Sequence, residues 1–191
     1  MNKQMIKIMM VFILLFYYAP CYAFDFNTDQ AFSIGVNRMT NGHSEGAKNR
    51  CMNDGWAIDG EYVIPLSLDF NKYIGISLVP GAMLTYSNFE TAYRETSKSK
   101  ESDRKRESGV TLAGTLRPTI RLWKIRAYKL FGLGVDYNQP DSAWDFGYIK
   151  SGEGIGIDIT DNVSLDGSRR KFKRNDGTFY KYNTLTLTIS W

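Results

Sequence analysis

Between Ser108 and Trp123 the chain alternates with a period of two, and this pattern narrows the folds open to it. Val110, Leu112, Gly114, Leu116, Pro118, Ile120 and Leu122 fall on one side. Thr111, Ala113, Thr115, Arg117, Thr119 and Arg121 fall on the other. A strand points successive side chains to opposite faces and so separates the two sets, whereas a helix would scatter them around its circumference. The pattern recurs along the chain. Trp56, Ile58, Tyr62, Ile64 and Leu66 stand opposite Asp59 and Glu61, and Ile74, Ile76, Leu78, Leu84 and Tyr86 opposite Gly75, Ser77 and Thr85. Phe131, Leu133, Val135 and Tyr137 oppose Gly132, Gly134 and Asp136, and Ile155, Ile157 and Ile159 oppose Gly154, Gly156 and Asp158. Leu185, Leu187, Ile189 and Trp191 oppose threonines 184, 186 and 188.

Eight strands are predicted, at 30–39, 55–66, 73–86, 108–122, 127–138, 145–159, 163–171 and 179–191. A change of phase near Ser151-Gly152 predicts a bulge in the sixth. The connections alternate long and short, with about fifteen residues after the first strand and about twenty after the third, against a handful after the second and fourth. Membrane barrels of bacterial outer membranes pair long extracellular loops with short periplasmic turns, and a soluble β-sandwich has no reason to do so.

The charges decide which face meets which medium. With the apolar face outward, the interior holds Asp59, Glu61, Arg117, Arg121, Asp136 and Asp158. An eight-stranded barrel is only wide enough inside for side chains to fill, so opposite charges can pair there. The surplus of acids calls for further cations, with Lys150 a candidate. An ion path or gate is the functional alternative to a packed polar core. On the lipid face a midplane arginine would cost about 2–4 kcal/mol. The inverse arrangement, a lipocalin-like soluble barrel, would leave the strand glycines on a solvent face, where they only weaken it. Inside a narrow barrel they make room for bulky neighbours. Trp56, Tyr86, Tyr137 and Phe179 fall toward the loop ends of their outward faces, and Trp123 and Trp191 toward the turn ends, as two aromatic girdles.

The N-terminus is consistent with export. Lys3 and Lys7 precede an apolar run from Ile8 to Tyr18, broken by Ala19-Pro20 before small residues at Cys21-Tyr22-Ala23. That is the layout of a secretory signal peptide, predicted to span 1–23, with the barrel at 24–191. The run is too short to cross a bilayer as a helix. A lipoprotein anchored at Cys21 is the lesser alternative, since Tyr18-Ala19-Pro20 suits a lipobox poorly. Removing Lys3 and Lys7 from the 24 basic residues leaves 22 against 20 acidic ones, so the net charge falls from +4 to +2. That near-neutral balance gives no support for nucleic acid as a partner. Cys51 is then the only cysteine, so no internal disulfide is expected. No Cys/His spacing suggests a metal, and no cofactor motif is present.

The stretch Gly152-Glu-Gly-Ile-Gly-Ile-Asp-Ile-Thr-Asp-Asn-Val-Ser-Leu-Asp-Gly167 resembles a strand–turn–strand signature of the OmpX/Ail/Lom group of small enterobacterial barrels, and more loosely the OmpA transmembrane domain. Residues 127–137, AYKLFGLGVDY, resemble the strand that precedes it. The resemblance implies an all-β, eight-stranded antiparallel transmembrane up-and-down β-barrel in the bacterial outer membrane. It also implies roles such as adhesion, host-cell invasion or serum resistance.

In such a scaffold, function sits in the loops. The loop at 87–107 is charge-dense but nearly balanced and reads as solvated. The hairpin at 168–176 sets Arg169, Arg170, Lys171, Lys173 and Arg174 against Asp176 and is expected to attract anions. The expected partners are outer-membrane lipid and lipopolysaccharide phosphates, sulfated glycans or host surface proteins, with the barrel itself monomeric. Stabilising the protein's own lipid rim is an equal alternative for this cluster. The leading expectation is a non-enzymatic surface barrel with no catalytic residues. One alternative is a lipid A acyl hydrolase using His43 with Ser44 and Glu45, although adjacent loop residues seldom reach the geometry of a nucleophile and its base. Another is a structural protein of envelope integrity.

Overall fold

A computed structural model describes residues 26–27, 30–40, 42–43, 49–71, 73–94, 105–138, 143–175 and 177–191. The expected signal peptide lies outside them. The described residues form strands β1 (Phe26–Asn27), β2 (Ala31–Thr40), β3 (Gly42–His43), β4 (Asn49–Val63), β5 (Leu66–Asn71) and β6 (Ile74–Arg94). They continue with β7 (Lys105–Leu122), β8 (Ile125–Lys129), β9 (Phe131–Asn138), β10 (Ala143–Asp158), β11 (Val163–Arg174) and β12 (Phe179–Ser190). Two pairs are single staves with one irregular joint. β4 and β5 continue each other across Ile64-Pro65, where the Ile64 N–H still donates to Pro80 O at 3.0 Å. β8 and β9 continue across Leu130, whose N–H donates to Gly152 O at 2.9 Å. With β1 and β3 as extensions of the first stave, the described residues make eight.

Every sequential pair of staves is antiparallel, and the last pairs the first: Leu185 of β12 lies opposite Val36 of β2. The ring therefore closes and leaves no long edge strand among the described residues. Its stagger can be followed from partner to partner. Leu68 pairs with Ile76, then Ile120, Ala127, Ile155, Gly167, Leu185, Val36 and Ile58, which returns to the starting stave ten residues away. Such a shear in an eight-stranded barrel goes with strands tilted by about 40°. A row of neighbours across the sheet thus climbs the wall as it goes round.

Alternation in sequence becomes alternation in exposure. Over β2 the pattern is strict, with Ala31, Ser33, Gly35, Asn37 and Met39 buried and the residues between them exposed. Ile34, Ile58, Leu84, Leu112, Leu133, Ile155 and Leu187, drawn from seven of the eight staves, are 44–65% exposed. An apolar belt of that extent is incompatible with water and suits acyl chains, so the soluble inverse is excluded. Trp56 and Tyr86 pack at 5.8 Å between ring centroids, and Tyr137 and Trp144 at 5.3 Å, at the loop end. Trp123 and Trp191 are exposed at the turn end. Trp123 closes a two-residue turn at a φ of 56°. Phe179, expected in the outer girdle, is instead buried: the Lys171 and Lys181 ammonium groups lie 3.5 and 5.8 Å from its ring centroid.

The expected bulge of the sixth stave is present, as a register shift between Ile149 and Ser151. Two loops are shorter than the sequence suggests. β6 runs to Arg94 and β7 begins at Lys105, so much of 87–107 is paired strand. β11 runs to Arg174, so the basic segment is strand, not hairpin loop. β6 is 21 residues long. A barrel strand needs only about 9–11 to cross a membrane, so the staves project beyond the belt at the loop end.

Candidate functional site

The lumen has two zones. Toward the loop end it is mainly apolar. Met39, Met83, Phe89, Leu130, Ile149 and Phe172 form a buried apolar cluster with Tyr180 and Tyr182. The sequence reading anticipated a polar interior throughout. The apolar zone arises because β12 turns Tyr180 and Tyr182 inward and β11 turns Phe172 inward.

Two ion pairs are set into this plug. The Arg170 guanidinium is bidentate on Asp59, with Nη1–Oδ2 and Nη2–Oδ1 both 2.7 Å. The Thr85 hydroxyl donates to the same carboxylate at 2.7 Å, and the Tyr182 ring lies 4.6 Å below the guanidinium. Arg174 Nε lies 3.2 Å from Asp145 Oδ2 and 3.7 Å from Asp136 Oδ2. Asp136 also accepts from Thr111 at 2.6 Å and Tyr180 at 3.1 Å. Buried charges need this density of partners, because the low dielectric raises the cost of any that is missing.

Toward the turn end the lumen opens into a cavity of about 450 Å³ whose lining includes Trp123, Lys124, Asp161 and Asn162 of the turns. Three arginines reach along its wall. Arg117 pairs with Glu61, which also accepts from the Thr115 hydroxyl at 2.5 Å. Arg121 Nη2 lies 2.5 Å from Asp69 Oδ1. Arg126 is shared between Asp166 and Asp158, each at 3.1 Å. Four carboxylates, Glu61, Asp69, Asp158 and Asp166, thus share these three guanidinium groups.

All six expected interior charges, Asp59, Glu61, Arg117, Arg121, Asp136 and Asp158, therefore point inward. They form several separate pairs, not one network. The cations that complete them are Arg170, Arg174 and Arg126. Lys150, the candidate partner, is exposed on the outer wall.

This corrects the reading of 168–176 as one basic surface. Arg169, Arg170, Lys171, Lys173 and Arg174 lie on a strand, and a strand divides them. Arg170 and Arg174 are 5% and 3% exposed and committed to lumen carboxylates. Arg169, Lys171 and Lys173 share the outward face. Register places Lys181 beside Lys171, and Lys150 stands one stave away. The outward cations thus gather at the loop-end rim of β10–β12. The sequence held the signal for this division: Ser164, Asp166, Ser168, Arg170, Phe172 and Arg174 share a parity.

The side chains of His43, Ser44 and Glu45 lie outside the described residues, as does that of Cys51. Among the described residues no three His, Cys, Asp or Glu side chains are grouped to hold a metal.

Closure, shear, an apolar outer belt and ion pairs set into the interior define the chain as an eight-stranded transmembrane β-barrel of the bacterial outer-membrane type. No protein-family model and no curated protein matches its sequence. Among solved structures it is similar to Neisserial surface protein A, at 11% identity and a TM-score of 0.53, over 85% of this chain and 97% of that one. Ail, the attachment invasion locus protein of Yersinia pestis, aligns at 16% identity and a TM-score of 0.44, over 86% and 97%. A second structure of Ail, in complex with the heparin analogue sucrose octasulfate, aligns at a TM-score of 0.46 with the same identity and coverage. At these identities the likeness concerns the fold.

Proposed function

We propose that the protein is a non-enzymatic surface barrel whose loop-end rim binds anionic groups, in adhesion, host interaction or serum resistance. One observation carries this reading: Lys150, Lys171, Lys173 and Lys181 stand together on the outward face where β10–β12 approach the extracellular end, while the lumen behind them is plugged. A plugged lumen is a poor conduit, so the working surface is the outside. Ammonium groups at that level suit the sulfates of a glycan, the phosphates of lipopolysaccharide or an acidic patch on a host protein. Arg169 borders the same face. Arg170 and Arg174 take no part, being held by Asp59, Asp136 and Asp145.

The test is a triple variant, Lys150→Glu with Lys171→Glu and Lys181→Glu, expressed in a strain with few other adhesins. Binding of labelled heparin to intact cells should fall about tenfold, while salt weakens binding by the parent chain. Unchanged binding at equal surface expression defeats the anionic-ligand reading and favours a purely structural role in the envelope.

A further inference from the structure

A row of charge crosses the lipid-facing wall below that rim. Lys129 of β8, Glu153 of β10 and Arg169 of β11 face outward on neighbouring staves, and Glu153 is the register partner of both others. Lys129 Nζ lies 2.7 Å from Glu153 Oε2, with both side chains 62% exposed. Sequence position fixes their depth. On its stave Lys129 stands between Ile125 and Ala127 toward the turn and Phe131 and Leu133 toward the loop, all exposed. With a tilt near 40° each residue rises about 2.5 Å, which puts Lys129 about 10 Å above Ile125 and about 20 Å below Tyr137. Glu153 has Ile155 and Ile157 below it, and above it come Ser151 and Lys150 and then Tyr148, Phe146 and Trp144, all exposed. The pair therefore lies between the aromatic girdles, at hydrocarbon depth. Acyl chains offer neither counter-charge nor hydrogen bond there, so ionised groups in this position favour a second surface that covers them.

We propose that this wall is the contact between two copies of the chain, related by a two-fold axis along the membrane normal that passes between β10 and β11. Such an axis sets Glu153 of each copy against Arg169 of the partner subunit, and the exchange is reciprocal, as an isologous contact requires. The two residues differ by one step of the register row, a rise of about 3 Å, within the reach of their side chains. Each Glu153 then lies between Lys129 of its own chain and the partner's Arg169. A second feature agrees. Gly167 is an outward glycine two residues below Arg169, and a Cβ there would meet nothing within 4 Å. A strand glycine without packing neighbours marks a place where another backbone can come close. Ile155, Ile157, Leu165 and Leu185 surround it with apolar surface.

An anionic lipid headgroup suits the row less well. Phosphates sit at girdle level, and the Glu153 carboxylate in the middle of the row repels them. A second copy brings a cation to Glu153 and a carboxylate to Arg169, which a phosphate cannot do. The contact is independent of the ligand reading, since it uses the wall below the rim.

Cross-linking of single cysteines in native membranes with a flexible bismaleimide tests it, because the axis leaves the two copies of Gly167 on either side of it, beyond the reach of a direct disulfide. In a Cys51→Ser background, Gly167→Cys should give a cross-linked dimer at about tenfold the yield of Leu84→Cys, which lies on the opposite wall. Adding Arg169→Glu, which opposes two carboxylates, should cut the yield about tenfold again. Heat-modifiable gel mobility confirms that each variant is folded. As a second measurement, the unmodified chain extracted with its native lipids should have the mass of a dimer. Equal yields at Gly167→Cys and Leu84→Cys overturn the proposal, as does a monomer mass carrying bound anionic lipid, which would assign the row to a headgroup.

Discussion

Replacing Arg170 by methionine separates two placements of one residue. In a solvated hairpin the change would cost at most about 1 kcal/mol, the worth of an exposed ion pair. In the lumen it removes both 2.7 Å guanidinium bonds and leaves the Asp59 carboxylate, 7% exposed, facing a thioether. The Thr85 hydroxyl still donates to it, but that bond exists in both chains and offsets nothing new. Methionine fills much of the vacated volume, so the cavity contribution is small. What remains is an uncompensated buried charge, worth about 3–5 kcal/mol. Urea unfolding in lipid vesicles, followed by tryptophan fluorescence and by heat-modifiable mobility, would measure it. Adding Asp59→Asn removes the orphaned charge and should recover about 2 kcal/mol or more, a coupling expected of residues in direct contact. An Arg170→Met barrel within about 1 kcal/mol of the parent refutes the buried pair. So does a double variant less stable than the single one.

Two further substitutions probe the wall. Gly134→Ala places a Cβ 2.3 Å from the Leu112 carbonyl oxygen, a backbone atom that cannot swing away, and should destabilise by about 1–3 kcal/mol, whereas Gly167→Ala in open space should be near neutral in the same urea titration. Leu112→Arg puts a cation on the lipid face and should cost about 2–4 kcal/mol when folding is measured into a bilayer. A smaller loss in bilayers than in detergent would count against the outward placement of that face.

The period-two pattern made the eight staves legible because membrane strands separate two media, and each medium selects one side-chain class. Ile155, Ile157 and Ile159 could be placed from sequence for that reason alone. The basic run from Arg169 to Arg174 was harder. Charge density marks a surface loop only when the backbone is irregular, and here the run is strand, where parity outranks density. Counting from Ser164 and Asp166 would have sent Arg170 and Arg174 inward and supplied the cations that the interior acids lacked. Arg126 was hidden differently, one residue outside the predicted start of the fifth stave. The loop lengths misled because β6 and β7 continue beyond the membrane as a paired ribbon, Phe89 opposite Glu107, with charges that resemble a solvated loop.

The outward charge row could not be read from any one segment, and the reason is geometric. Lys129, Glu153 and Arg169 come from three staves separated by 24 and 16 residues of chain. Within its own strand each looks like a single polar interruption in an apolar face, tolerable near a rim. Only register brings them side by side, and only shear assigns their depth. A row that starts at Leu68 near the turn end climbs the wall to reach Ile58 on the same stave, so neighbours in the sheet stand at different heights in the bilayer. The same climb carries the charge row upward from Lys129 through Arg169 and brings Lys171 and Lys181 to the rim. The outward cations thus stand at two levels, Lys129 and Arg169 in the lower and Lys171 and Lys181 in the upper. The upper group has water and headgroups for solvent. The lower group has acyl chains, and its one carboxylate, Glu153, makes the wall complementary to a copy of itself.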